Sequence, residues 1–379
     1  MPDFSDMLIL QRVIPHYRVP LFAELYNRYG LRVVTSRTPP MGSFLNLIDP
    51  QECSFAIPAD ITFPNPAQPF RANVPINAIL SNLNPKAVIA EFALRMTSTY
   101  QLAAARRLGN LPKLAYWTHG WQIDKRPSKL ENLLVNALRP PLLSTADAIG
   151  TYTQSGQQWV SRNLPKTWSI ALGNAIDNTH ILAAKSRASA HRRGFPQLLS
   201  VGRITADKSF DLIIEAFALV RMRHPNAALT LIGDGPERER LRQLIASRQD
   251  PSFGQAVLLT GALHDEDDLA PHFMGADLLV LGGAAGLSVN HALAYRLPIV
   301  AFAESEKGPN HHPEIEYVIP SVSGVLVSPF TISALADSIC EIVESSEHLV
   351  LRESLANINP APSIQTVADR FGELCERLR

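Results

Sequence analysis

Cysteine is scarce in this chain: Cys53, Cys340 and Cys375 are the only three among 379 residues. They are far apart, odd in number and form no C-x-x-C, so neither a disulfide framework nor a zinc site is suggested. A reducing cytosol is the natural setting. No apolar stretch runs uninterrupted for the length of a bilayer-spanning helix, and the first residues lack the basic-then-apolar pattern of a secretory signal. Runs of basic residues interleaved with aromatics are missing too, which argues against a nucleic-acid partner. Internal repeats and low-complexity tracts are absent. What remains, 46% apolar and 18% charged residues, is ordinary for a soluble globular enzyme, and the length suits two domains that each bury a core.

The formal net charge of zero conceals an asymmetry. Of the 35 Lys+Arg, 19 lie in residues 1–187, against 11 of the 35 Asp+Glu. The two halves therefore carry about +8 and −8. A basic half suits an anionic membrane surface or an anionic acceptor; charge complementarity between the halves explains it equally well.

Apolar, β-branched runs recur along the chain with helical patterns between them. In the first half these are Leu8–Ile14, Leu31–Thr35, Val88–Phe92, Leu114–Thr118, Ala148–Tyr152 and Trp168–Leu172. In the second they are Leu198–Val201, Ala228–Ile232, Val257–Thr260, Leu278–Leu281, Ile299–Phe302 and Val325–Val327. Such alternation predicts an α/β fold of two Rossmann-like domains, each with a parallel sheet covered on both faces, facing a central cleft. The expected domains are residues 1–180 and 195–355, with a C-terminal helix in 356–379 packing back toward the first. The small, basic stretch between Asn178 and Pro196 is the expected linker. Pro39–Gly42 and the proline-rich Pro50–Pro75 read as a long irregular insertion.

Two segments carry the chemistry. Gly282-Gly283-Ala284-Ala285-Gly286-Leu287-Ser288 follows the apolar strand ending at Leu281 and opens a helical pattern running to Arg296, which Leu297-Pro298 closes. Glycines let a backbone approach a phosphate, and free N–H groups at a helix start favour negative charge. Gly202-Arg203 through Lys208 sits after another strand, and Arg and Lys converging at a strand's carboxyl end suit a diphosphate. Each segment has a plain structural explanation, a steric corner or solvated cations; their coincidence favours the ligand.

These residues, with Gly233-Asp234-Gly235-Pro236-Glu237 between them, Asn174-Ala175-Ile176-Asp177 before and Gly324-Val325-Leu326-Val327 after, resemble retaining, nucleotide-sugar-dependent glycosyltransferases of the GT-B fold, family GT4. The opening Ile14-Pro15-His16-Tyr17-Arg18-Val19-Pro20 is similar to a first-strand loop of bacterial members. The likeness is strong over residues 195–330 and patchier before. It departs at one motif: the family's Glu-x7-Glu pair falls on Gly283 and His291.

The resemblance implies Arg203 and Lys208 on the leaving diphosphate and His119, after the strand Leu114–Thr118, near the transferring sugar. It implies Gly202, Gly233, Gly283, Gly286, Leu287 and Ser288 around the donor, Leu263 against the base and Glu316 near the donor sugar. His291 would meet the ribose hydroxyls through a ring nitrogen; a glutamate there would serve the same hydroxyls. Gly283, which has no carboxylate to offer, would contribute backbone groups or make room for the sugar.

His16, Tyr17 and Arg18 are the expected acceptor residues, Arg18 through a phosphate or carboxylate, with a pairing to Glu91 as the structural alternative. No metal and no cofactor are expected, and the adjacent His311 and His312 lack a third ligand of convincing spacing. The expected partners are a nucleoside-diphosphate sugar and a glycan or lipid-linked acceptor. The basic, amphipathic segment Lys125–Arg139 suits either peripheral contact at the inner face of the plasma membrane or an ordinary core helix. The expected activity is sugar transfer with retention, in polysaccharide biosynthesis; a catalytically weak nucleotide- or glycan-binding relative is the rival reading.

Overall fold

The computed structural model describes residues 2–38, 47–63, 72–109, 113–119, 129–248 and 250–379. The chain divides into two compact units, Met1–Asp177 with Pro362–Arg379, and Asn178–Ala361. Residues 178–187, within the stretch read as a linker, form the helix Asn178–Arg187 and count with the second unit.

Among the described residues, the first unit is built on a seven-stranded sheet in the order β3-β2-β1-β4-β5-β6-β7. The strands are β1 (Met7–Leu10), β2 (Arg32–Ser36), β3 (Ala56–Ala59), β4 (Ala87–Glu91), β5 (Lys113–Thr118), β6 (Ala148–Thr151) and β7 (Trp168–Ala171). Every pairing is parallel. Buried residues alternate between the faces as strand geometry requires. Met7, Ile9, Ile89, Ala115 and Trp117 join one core, while Leu8, Leu10, Val88, Leu114 and Tyr116 join the other. The first core is completed by the C-terminal helix Ile364–Leu378, which inserts Val367, Phe371, Leu374 and Cys375. Phe371 meets Trp117 edge-on at 5.1 Å, and burying a side chain of that kind stabilises by about 1.5–3 kcal/mol. Ser363 caps this helix by accepting from the Thr366 N–H at 3.0 Å.

β3 corrects the sequence reading, which left it inside an irregular insertion. It is half-buried, holds Pro58, and pairs with β2 alone at the sheet edge. A proline that cannot donate to the ladder is tolerated there.

The second unit carries a six-stranded parallel sheet among its described residues, ordered β10-β9-β8-β11-β12-β13. Its strands are β8 (Gln197–Val201), β9 (Ala228–Ile232), β10 (Val257–Gly261), β11 (Leu278–Leu281), β12 (Ile299–Phe302) and β13 (Gly324–Val327). One core runs through Leu198, Leu229, Leu231, Leu278, Val280, Val300 and Phe302 under the helices Phe210–Arg223 and Ile332–Glu344. In both sheets the strand order reverses once, between β1 and β4 and between β8 and β11. Such reversals open a crevice outside the carboxyl ends of the strands.

Candidate functional site

The reversal in the second sheet joins the two segments singled out by sequence. β8 and β11 are hydrogen-bonded neighbours, so Gly202-Arg203 and Gly282-Gly283 leave the sheet side by side. From the turn Ala206–Lys208, the Lys208 ammonium donates to the Ala284 carbonyl at 2.7 Å. Its Nζ lies 3.3 Å from where a side chain on Gly286 would begin. Lys208 and the glycine corner are therefore one site. Arg203 is exposed at the end of β8.

The corner is held from both sides. The Ala284 N–H donates to the Asp207 carbonyl at 2.8 Å, and the Ala285 N–H donates to His311 Nδ1 at 2.9 Å. Because Nδ1 accepts, His311 carries its proton on Nε2 and gives it to the Phe302 carbonyl at 2.9 Å. Both ring nitrogens of this buried histidine are spent on fixing the corner. Further along, the Pro313–Tyr317 turn carries Glu316, half-buried. Glu304, just past β12, has its carboxyl raised by burial and further by the nearby Glu316. Among the described residues, the corner's backbone hydrogen bonds use the N–H groups of Ala284 and Ala285 but not those of Gly286, Leu287 and Ser288. The helix that follows spans Ser288–Ala294, shorter at both ends than the sequence pattern.

Gly283 does not make room for a ligand. A Cβ there would stand 2.1 Å from the Asp207 carbonyl oxygen and 2.9 Å from Lys208 Cα. The glycine exists so that the Lys208 turn can lie against the corner, and that packing excludes a carboxylate side chain. Gly233 plays a similar part at the end of β9, with φ of 151° and a would-be Cβ 1.9 Å from the Gly202 carbonyl. Leu263 lies half-buried in the loop after β10.

His291 meets a partner on a neighbouring helix. Its Nε2 is 2.8 Å from Glu266 Oε1, an acid at the start of the helix Glu266–Gly275 that sequence reading passed over. A glutamate at 291 would set two carboxylates against each other.

In the first unit, Arg18 follows β1 on the short turn His16–Arg18. Its guanidinium donates to Gln11 Oε1 at 2.9 Å, to the Tyr152 hydroxyl at 2.8 Å and to the Tyr17 hydroxyl at 3.2 Å. It also lies 4.4 Å over the Trp117 ring. The alternative partner, Glu91, is taken by Arg12 at 3.0 Å. His119 stacks on Tyr152 with ring centroids 4.4 Å apart, and burial pushes the Tyr152 hydroxyl up to about 12. His16 is exposed and Tyr17 half-buried. Gly120 and Lys125–Ser128 lie outside the described residues, and Lys129–Leu143 form a helix.

Among the described residues one group has the ligand types of a metal site. The ligand atoms of His224, Cys340 and Glu344 lie within 4.8 Å of one another, but Arg223 already holds the Glu344 carboxylate at 2.5 Å. The group sits where the helix after β8 has run back toward the amino edge of the sheet, away from the glycine corner.

Residues 183–358, somewhat less than half of the chain, match the family described as Glycosyl transferases group 1. An exopolysaccharide phosphotransferase of Streptomyces coelicolor is 26% identical over 340 residues, which are 85% of this chain and 32% of that protein. An alpha-D-kanosaminyltransferase of Streptomyces kanamyceticus is 30% identical over 182 residues, 47% of this chain and 44% of the other. The matches thus span about a third to under half of these relatives. Anabaena HepE, solved in complex with UDP, superposes with a TM-score of 0.68 at 17% identity, covering 98% of this chain and 99% of that one. The fold is GT-B, and the family match supports a glycosyltransferase of group 1. No helix among the described residues is long and apolar enough to cross a membrane.

Proposed function

We propose that the chain transfers a sugar from a nucleoside diphosphate to a glycan or lipid-linked acceptor with retention of configuration. The observation that carries this reading is the Lys208 ammonium bound to the glycine corner at the strand reversal, next to Arg203 and to the N–H groups of Gly286, Leu287 and Ser288. Two cations and converging N–H groups suit the charge that develops on a leaving diphosphate. In this reading the bond from the anomeric carbon to the phosphate oxygen breaks, and a bond to the acceptor oxygen forms on the same face. The acceptor proton passes to the leaving phosphate, so no protein nucleophile is needed. His119 lies near the sugar, Glu316 and Leu263 near the donor, His16 and Tyr17 on the acceptor side. Arg18 serves there too, toward an acceptor phosphate or carboxylate. Charge neutralisation by side chains and backbone makes a metal ion unnecessary.

The packing that excludes a carboxylate at Gly283 favours a second reading, a nucleotide-binding protein that does not turn over. One experiment separates the two. UDP-, GDP-, ADP- and dTDP-sugars are screened by thermal shift and by release of nucleoside diphosphate, with and without a mixed glycan and lipid-linked acceptor preparation. Acceptor-dependent release from one donor is expected. Stabilisation by a nucleotide with no release from any donor favours the binding protein, and no stabilisation by any of them ends the donor-site assignment.

A further inference from the structure

The helix that leaves the glycine corner carries His291 and Tyr295 four residues apart, hence on one face. The helix Glu266–Gly275 grips that face at two levels. At its first residue, Glu266 Oε1 meets His291 Nε2 at 2.8 Å. About two turns on, Phe273 stacks on both rings, with centroids 5.9 Å from His291 and 4.9 Å from Tyr295. Glu266 is itself fixed. Asp265 caps its helix by accepting from the Asp267 N–H at 2.8 Å, and a negative charge in the first turn suits the helix dipole. The second carboxylate oxygen, Oε2, and the Tyr295 hydroxyl are both buried with no other hydrogen-bond partner. Burial and the neighbouring Glu266 and Asp267 carboxylates push the Tyr295 hydroxyl well above the ordinary phenol range.

We infer that Glu266 is a positioning residue for recognition of the ribose, acting through His291. The inference rests on the donor-site reading above. A carboxylate at Nε2 favours the tautomer with its proton there, which leaves Nδ1 an acceptor. An accepting nitrogen matches a ribose hydroxyl that donates. Without Glu266 the imidazole divides between two tautomers and two ring orientations, and only a fraction of these presents an acceptor. Phe273 and Tyr295 hold the plane of the ring; Glu266 holds its sense. His291 and Glu266 together then supply, from two helices, one oriented hydrogen-bond acceptor where a single carboxylate does not stand.

The test compares a ribonucleoside diphosphate with its 2′,3′-dideoxy form by isothermal titration, using whichever of UDP, GDP and ADP binds wild-type protein most tightly. A site built on a sugar hydroxyl should favour the ribonucleotide by about tenfold or more. In Glu266→Ala that preference should fall below about threefold while affinity for the dideoxy form stays within about twofold, because only the hydroxyl contact is lost. Glu266→Gln, whose amide oxygen still accepts from Nε2–H, should keep most of the preference. Glu266→Met, closer in volume, takes the place of the alanine variant if that protein does not fold. An unchanged preference in the alanine or methionine variant overturns the inference, and so does an equal loss for both nucleotides, which marks a merely structural residue. A wild-type protein that binds the nucleotide without preferring ribose overturns it as well. A wild-type protein that binds none of the three overturns the donor-site reading and this inference together.

Discussion

The two sheets reverse their strand order in the same way, yet they treat the cations at that point in opposite fashion. In the first unit, Arg12 is paired with Glu91, and Arg18 donates to Gln11, Tyr17 and Tyr152 above the Trp117 ring. In the second, Lys208 is drawn onto the Ala284 backbone carbonyl. A carbonyl orients an ammonium without neutralising it, and the same holds for the amide and hydroxyl oxygens around Arg18. The same topology thus yields a cation held among aromatic side chains and a side-chain amide in one unit and a cation held on the backbone carbonyl of a glycine corner in the other. Position at a strand end is insufficient to assign a ligand; the groups that hold each cation differ between the two units.

Removing the cations of the second unit should have the largest effect. Lys208→Ala and Arg203→Ala are each expected to lose on the order of 2–4 kcal/mol of transition-state stabilisation, the scale of a lost oxyanion donor. Turnover within a fewfold of wild type in both would dissolve the contrast between the units.

Next comes the packing that brings Lys208 to the corner. Gly283→Ala should cost about 1–3 kcal/mol of stability through overpacking, and Gly283→Glu more, as measured by urea denaturation. Gain of activity in the glutamate variant would mean that the Asp207–Lys208 turn moves freely and that the close approach is not a constraint.

A smaller effect is expected in the first unit. Tyr152→Phe removes one acceptor from the Arg18 guanidinium, a bond to a charged group worth about 1.5–3 kcal/mol at most and less where partly solvated. Stability should fall while affinity for nucleoside diphosphate stays the same; a drop in that affinity would give the Arg18 cluster a role in donor binding. The smallest effect is none at all: EDTA should leave transfer intact, and loss of activity restored by magnesium or manganese would show that Lys208 and Arg203 do not suffice.

Most of the strands were legible because a sheet covered on both faces demands uninterrupted apolar runs, such as Leu198–Val201 and Leu278–Leu281. β3 was hidden because an edge strand needs less apolar character, and Pro58 disguised it as loop. At the site, glycines and cations showed through since their chemistry is local. Glu266 and His311 did not: each acts on a residue about 25 positions away, and no pattern in the chain couples them. His311 drew notice as half of a histidine pair, but its task of pinning Ala285 appears only when β12 stands beside β11. One partner of Arg18 stayed out of view for the same reason, because Tyr152, which accepts from it, lies 134 residues further on.

The chain leaves the first unit at Asp177 and re-enters it at Pro362, and this dictates a timetable. During synthesis from the amino end, seven strands emerge long before the helix carrying Phe371 and Leu374, so one core waits with an open side. The second unit, contiguous from Asn178 to Ala361, has no such debt to later residues. A chain truncated near residue 360 and released is thus expected to present a second unit with nearly its full complement of residues attached to a first unit whose core stays open.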